Sequence, residues 1–137
     1  MSLIQPYLFF NGRCDEAIDL YQSALGAEVV MLMRHKDAPE PSPMPLPPGT
    51  ENKVMHATLN IGGAIVMVSD GMNNGVTEFK GFSLSLAYPT EAEAQRAFTA
   101  LADGGRIDMP LGKTFWSACF GMVTDRFGVQ WMLSLDH

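Results

Sequence analysis

Few side chains in this sequence can move protons or hold ions near neutral pH. Three histidines, His35, His56 and His137, and two cysteines, Cys14 and Cys119, are scattered over 137 residues, and the cysteines have no CxxC spacing. Only His56 falls inside a predicted strand. An imidazole with an ordinary pKa of about 6.5 exchanges protons near neutrality, so on a cavity wall His56 is a candidate general base or hydrogen-bond partner for a substrate. The alternative is a half-buried histidine satisfied by a neighbouring hydroxyl or carbonyl. His35 stands at a strand end and His137 at the chain end, which makes both weaker candidates. Cys119 is a candidate for reactivity only if it is exposed and its pKa is lowered.

Positioning such groups requires strands, and the pattern supplies them. Leu3–Phe10 reads as a short strand broken by Asn11-Gly12. From Asp15 to Leu25 the period turns helical, with Ala17, Ile18, Tyr21, Ala24 and Leu25 on one face. Asp15 and Glu16 suit the positive end of that helix, and Gly26 is placed to terminate it. Ala27–His35 follows as a strand. Residues 36–52 carry six prolines and read as a stiff extended surface loop without secondary structure. That loop is either a solvated connection or a lid over a pocket. Lys53–Ile61 and Ala64–Ser69 form a hairpin through Gly62-Gly63, and Asp70–Lys80 is a polar linker.

The order then repeats. Phe82–Tyr88 is a strand, Thr90 caps a helix with Glu93 at the capping-box position, and Gly104-Gly105 ends it. Strands follow at Arg106–Met109, Ser117–Thr124 and Val129–Leu135, the last two joined by the turn Asp125-Arg126-Phe127-Gly128. Asp125 and Gly128 read as turn chemistry without a catalytic role. The result is β-α-β-β-β twice, an α+β fold of tandem repeats within one domain (repeat 1 about 1–74, repeat 2 about 75–137).

Composition narrows the function. Fifteen acidic against nine basic residues give a net charge of −6, and no Lys/Arg cluster offers a face for phosphates, so nucleic acid is not an expected partner. No apolar run approaches the ~20 residues that span a bilayer, and the N-terminus lacks the basic flank and cleavage site of a signal peptide. Two cysteines without pairing signals suit free thiols in the cytoplasm.

Several runs resemble a known family. Ala17-Ile18-Asp19-Leu20-Tyr21 followed by Leu25-Gly26-Ala27-Glu28 is similar to the first helix of vicinal oxygen chelate proteins. His56-Ala57, Met67-Val68-Ser69-Asp70, Lys113-Thr114-Phe115-Trp116, Phe120-Gly121, Val123-Thr124-Asp125, Phe127-Gly128-Val129 and Trp131-Met132 resemble its PhnB-like branch. The resemblance implies sheets curled around a cavity, a homodimer, and membership of the glyoxalase/bleomycin-resistance/dioxygenase superfamily. Several of its members bind a divalent metal through His/Glu side chains on four strands. The PhnB-like branch lies near phosphonate-utilisation genes in some bacteria. Some of its members carry a ubiquinone-methyltransferase label, but no strand–glycine-rich turn–helix unit for a methyl-donor cofactor is present here.

Matched to that pattern, the ligand positions fall at about Pro6, Met67, Ser83 (or Phe82) and Met132. Proline and thioether do not replace the imidazole, carboxylate or thiolate that Zn, Ni, Mn or Fe sites need. The expectation is therefore no metal and no cofactor. Strand alternation places Ser83 and Ser85 inward, with Gln130, Met132 and Ser134 opposite Trp131, Leu133 and Leu135. His56, Thr58 and Asn60 likewise oppose Met55, Ala57, Leu59 and Ile61, and Met67 and Ser69 oppose Val66 and Val68. No inward position besides His56 is expected to offer imidazole or carboxylate. Trp116 is either the floor of a pocket or a core or dimer-interface residue. The leading expectation is a metal-free homodimer holding a small organic molecule among His56, Thr58, Met67, Ser69, Ser83, Ser85, Trp116, Gln130 and Met132. The alternatives are a metal-dependent enzyme with an unorthodox site around His56 and a ligand-free interaction module.

Overall fold

Two helices and eight strands are laid out twice in one order in the computed structural model, which describes residues 2–38, 47–71 and 77–135. The chain divides after Thr77 into two compact units. The first contains β1 (Tyr7–Phe9), α1 (Cys14–Leu25), β2 (Glu28–Arg34), β3 (Val54–Ile61) and β4 (Ala64–Ser69). Its sheet order is β1-β4-β3-β2, with β1 parallel to β4 and the other pairs antiparallel. The second contains β5 (Leu84–Tyr88), α2 (Glu91–Ala102), β6 (Arg106–Gly112), β7 (Phe120–Thr124) and β8 (Gln130–Leu135). Its order is β5-β8-β7-β6, again with only the first and last strands parallel. This is the expected α+β fold of two βαβββ repeats, each a mixed four-stranded sheet with one helix.

The repeats agree down to a bulge. In the first, Val29 pairs with Leu59 and Met31 with Thr58, which leaves Val30 as an extra residue. In the second, Ile107 pairs with Val123 and Met109 with Met122, which leaves Asp108 extra. Both bulges lie on edge strands, where an inserted residue twists the edge and discourages pairing with another chain.

Alternation then separates a buried face from an open one. In the first sheet Leu8, Ala57, Leu59, Val66 and Val68 are buried, and α1 adds Ala17, Ile18 and Tyr21. In the second, Val123, Trp131 and Leu133 are buried with Ala94, Ala97, Phe98 and Leu101 of α2. Trp131 is only 2% exposed, and burying side chains of this size contributes roughly 1.5–3 kcal/mol each.

Two buried aspartates fix these elements. Asp70 Oδ1 accepts from the backbone N–H of Gly12 (2.7 Å) and Cys14 (2.9 Å), and its Oδ2 accepts from Val54 N–H (2.9 Å). A β4-end carboxylate thus caps α1, whose own N-cap residue Arg13 makes no side-chain capping bond. Asp125 Oδ1 accepts from Phe127 and Val129 N–H, and its Oδ2 accepts from Trp131 Nε1 at 2.9 Å. The other helix ends follow the sequence. Gly26 closes α1 in the left-handed region at φ 67°, and Thr90 Oγ1 accepts from Glu93 N–H. The β3–β4 turn has positive φ at Gly62 and Gly63, as a tight two-residue hairpin requires.

Some boundaries differ from those predicted. β1 begins at Tyr7, since Leu3 and Ile4 are 78% and 99% exposed. Pro6 lies outside it, its carbonyl accepting from Met67 N–H. β2 stops at Arg34, and His35 enters a 3-10 turn (His35–Asp37). The Pro-rich segment holds that turn and another at Thr50–Asn52, so it is not without secondary structure; residues 39–46 lie outside the described residues. β5 begins at Leu84; β7 begins at Phe120, because Thr114 and Ser117 close a hydrogen-bonded turn ahead of it. β6 continues past Met109 through Pro110 to Gly112, which an edge strand tolerates. Asp70, placed in a polar linker by sequence, is fully buried. The expected repeat boundary near 74–75 and His137 lie outside the described residues. Both cysteines are free and buried.

Candidate functional site

The open face of the second sheet carries a continuous polar chain. Register pairs Ser85 with Met132, Met122 with Met132, and Thr124 with both Gln130 and Arg106, so these side chains share a face. On it the Ser83 hydroxyl donates to Gln130 Oε1. Gln130 Nε2 donates to Asp108 Oδ2 (3.2 Å), as does the Thr124 hydroxyl (2.6 Å). Arg106 donates from Nε to Asp108 Oδ1 (2.8 Å) and from Nη2 to Thr124 Oγ1 (3.3 Å). Partial burial pushes the Asp108 carboxyl up, but the bonds from Thr124, Arg106 and Gln130 together outweigh it and hold the group below its ordinary range. Asp108 is thus an anionic anchor and a poor base.

Beside this chain is a cavity of about 750 Å³, lined by Phe79, Lys80, Gly81, Phe82, Ser83, Arg106, Met122, Thr124, Gly128, Gln130 and Met132. Small-molecule sites typically measure about 300–1,000 Å³ and combine apolar walls with a few polar groups. Of the expected residues, the structure places Ser83, Gln130 and Met132 together here. Ser85 is exposed on the same face and is not part of the lining. Trp116 stands edge-on to Phe115 and Phe120, outside the lining.

The open face of the first sheet is arranged differently. Tyr7 pairs with Met67 and Thr58 with Met67, which puts the three on one face. The Tyr7 hydroxyl lies 2.7 Å from His56 Nδ1, and His56 Nε2 lies 3.1 Å from Thr58 Oγ1. A neutral imidazole has one donor and one acceptor, and the two hydroxyls can complement either tautomer. Burial raises the Tyr7 pKa. Ser69 is buried, its hydroxyl donating to Met55 O (2.6 Å) and accepting from Gly71 N–H (2.8 Å). His35 Nε2 lies 3.1 Å from Gly71 O.

The superfamily's metal finds no matching donors. Met67 and Met132 occupy equivalent positions of β4 and β8, and both are thioethers; Ser83 is engaged with Gln130, and the open-face residues of β1 are Tyr7 and Phe9, not Pro6. Among the described residues no group of three or more His, Cys, Asp and Glu could hold a metal ion. Cys119 is pushed up by burial and then by Glu91, and Cys14 by burial and then by Asp70, so neither thiol is activated.

Sequence reasoning missed Arg106, Asp108, Thr124, Lys80 and Phe79. The expectation that no inward position besides His56 offers imidazole or carboxylate is corrected by Asp108, whose carboxylate accepts from Thr124 and Gln130. The bulge breaks simple alternation there, and no residue type announces a bulge. The parity shared by Thr124 and Gln130 across a marked hairpin was the available signal.

A family model described as 3-demethylubiquinone-9 3-methyltransferase matches residues 2–134. Protein YjdN of Escherichia coli is 38% identical, covering 96% of this chain and 94% of its own. The crystal structure of protein PA1353 from Pseudomonas aeruginosa is 44% identical with a TM-score of 0.85, covering 99% of this chain and 98% of its own. A PhnB protein from Bacillus cereus is 34% identical with a TM-score of 0.81, covering 98% and 100%. The fold alone extends to the fosfomycin resistance protein FosX of Listeria monocytogenes, at 12% identity and a TM-score of 0.66, covering 100% and 94%.

Proposed function

Since the chain belongs to the family described as 3-demethylubiquinone-9 3-methyltransferase, the PhnB-like branch of the glyoxalase/bleomycin-resistance/dioxygenase superfamily, we propose that it binds a small organic molecule on the open face of the second sheet, without the superfamily's metal. The observation that carries this reading is the cavity whose apolar wall (Phe82, Met122, Met132) adjoins the polar chain ending on Asp108. Met is an adaptable wall for an irregular ligand and a poor ligand for Zn, Ni, Mn or Fe. The methyltransferase in the family's description is not part of the proposal. Neither sheet has the parallel, doubly wound order that presents a glycine-rich turn to a dinucleotide-like cofactor.

Two further features belong to the proposal. His56, held between Tyr7 and Thr58, is the residue best placed for acid–base chemistry on the first sheet. A homodimer in the cytoplasm fits the free thiols and the exposed Phe115. No helix among the described residues is long and apolar enough to cross a membrane.

Native mass spectrometry of protein purified without chelator tests the reading. A co-purifying organic mass is expected on the wild type and its loss is expected on Met132→Trp, which fills the cavity. Retention of the same mass by Met132→Trp would place the ligand elsewhere.

A further inference from the structure

We infer that the ligand of the second-sheet cavity is a small organic anion with an apolar body, its anionic group held by Arg106 and Lys80. This rests on the proposed ligand-binding role and adds the chemical class.

The whole chain carries a net charge of −6, yet the charged residues lining the cavity, Lys80 and Arg106, are both cations. The neutral polar groups there are largely committed. Ser83 directs its proton at Gln130, Thr124 directs its own at Asp108, and Gln130 directs one of its two amide protons at Asp108. Asp108 itself accepts from three side chains, and its side chain is 19% exposed. Beyond the second Gln130 amide proton, the side-chain donors left for a ligand are those of the two cations. Arg106 is gripped at Nε by Asp108 and at Nη2 by Thr124, and its Nη1 has no partner among the described residues. A guanidinium fixed on two sides loses little freedom when it meets an anion. Lys80 pairs with Glu78 at 2.6 Å, but both side chains are exposed, and such a surface pair contributes little and exchanges readily. A carboxylate, sulfonate or phosphate group takes donors that are already available. The body of the molecule then meets the Phe82 ring, edge-on to Phe79 at 6.3 Å, and the Met122 and Met132 thioethers.

Two dyes of the same aromatic body separate charge from shape: 1-anilinonaphthalene-8-sulfonate, and the neutral N-phenyl-1-naphthylamine. Fluorescence titration of the full chain should give saturable binding of one sulfonate dye per chain, about tenfold tighter than the neutral dye. Arg106→Gln should erase that advantage and leave the neutral dye unaffected, and Met132→Trp or, independently, Ser83→Tyr should displace both. If the neutral dye binds as tightly as the sulfonate, or Arg106→Gln changes nothing while the cavity-filling variants still displace both dyes, the anionic class is wrong and the ligand site stands. If neither dye binds stoichiometrically, or neither cavity-filling variant displaces them, the site itself is wrong.

Discussion

The two repeats share strand order, the parallel pairing of first and last strands and the position of a bulge, and they differ almost wholly on their open faces. Where the first sheet has Tyr7, Thr58 and Asn60, the second has Ser85, Met122 and Thr124, while Met67 and Met132 stay the same type. On the first sheet the polar groups of Tyr7, His56 and Thr58 close on one another. On the second they converge on the bulge residue Asp108, which in the first repeat is the aliphatic Val30. The frame depends on buried faces, which both repeats keep, and on a buried carboxylate in each, although Asp70 ties the start of α1 to β3 and Asp125 closes the β7–β8 turn. What a bulge places at the rim of the open face is left to vary, and there the binding chemistry differs.

The largest effect should come from the frame. Asp70→Ala strips two buried donors and one half-buried donor of their acceptor, and Asp125→Ala strips three buried ones. Each should cost about 3–5 kcal/mol in denaturant unfolding, since orphaned buried N–H groups carry their full desolvation penalty. A loss below about 1 kcal/mol at either residue would break the claim that a buried carboxylate holds its repeat together.

Smaller effects should come from the open faces. Thr124→Val removes one donor from Asp108 and one acceptor from Arg106, and should cost about 1 kcal/mol, whereas Thr58→Val should cost less because His56 keeps Tyr7 as a partner. The pH dependence has a defined sign. The Asp108 carboxyl is held below its ordinary value, so its contribution is complete above the ordinary carboxylate pKa and is lost as pH falls through the lower folded value. Acid titration followed by carboxyl NMR should show Asp108 titrating below free aspartate. Titration above it would mean that burial outweighs the hydrogen bonds. The smallest effect expected is none: EDTA should leave the melting temperature unchanged, because a metal bound only to the folded state would raise it by mass action.

The fold was legible in the sequence because its signals are local. Thr90 and Glu93 cap α2, Gly26 ends α1, Gly62-Gly63 turns the hairpin, and alternation separates the serines from Leu84 and Leu86. The site was legible only in part. Ser83, Gln130 and Met132 follow from parity, and Arg106 lies opposite Thr124 in regular register, but Asp108 is the extra residue of a bulge that no periodicity records. Asp70 was lost for a related reason: its partners Gly12, Cys14 and Val54 are near it only after folding.

The central claim is that the second sheet's open face is the ligand face, and methyl NMR on protein carrying ¹³C-methyl methionine tests it most directly. Addition of 1-anilinonaphthalene-8-sulfonate should shift the Met122 and Met132 methyl signals together and saturably. Shifts at Met31, Met33 and Met67, with Met122 and Met132 unmoved, would contradict the account and assign binding to the face that holds His56.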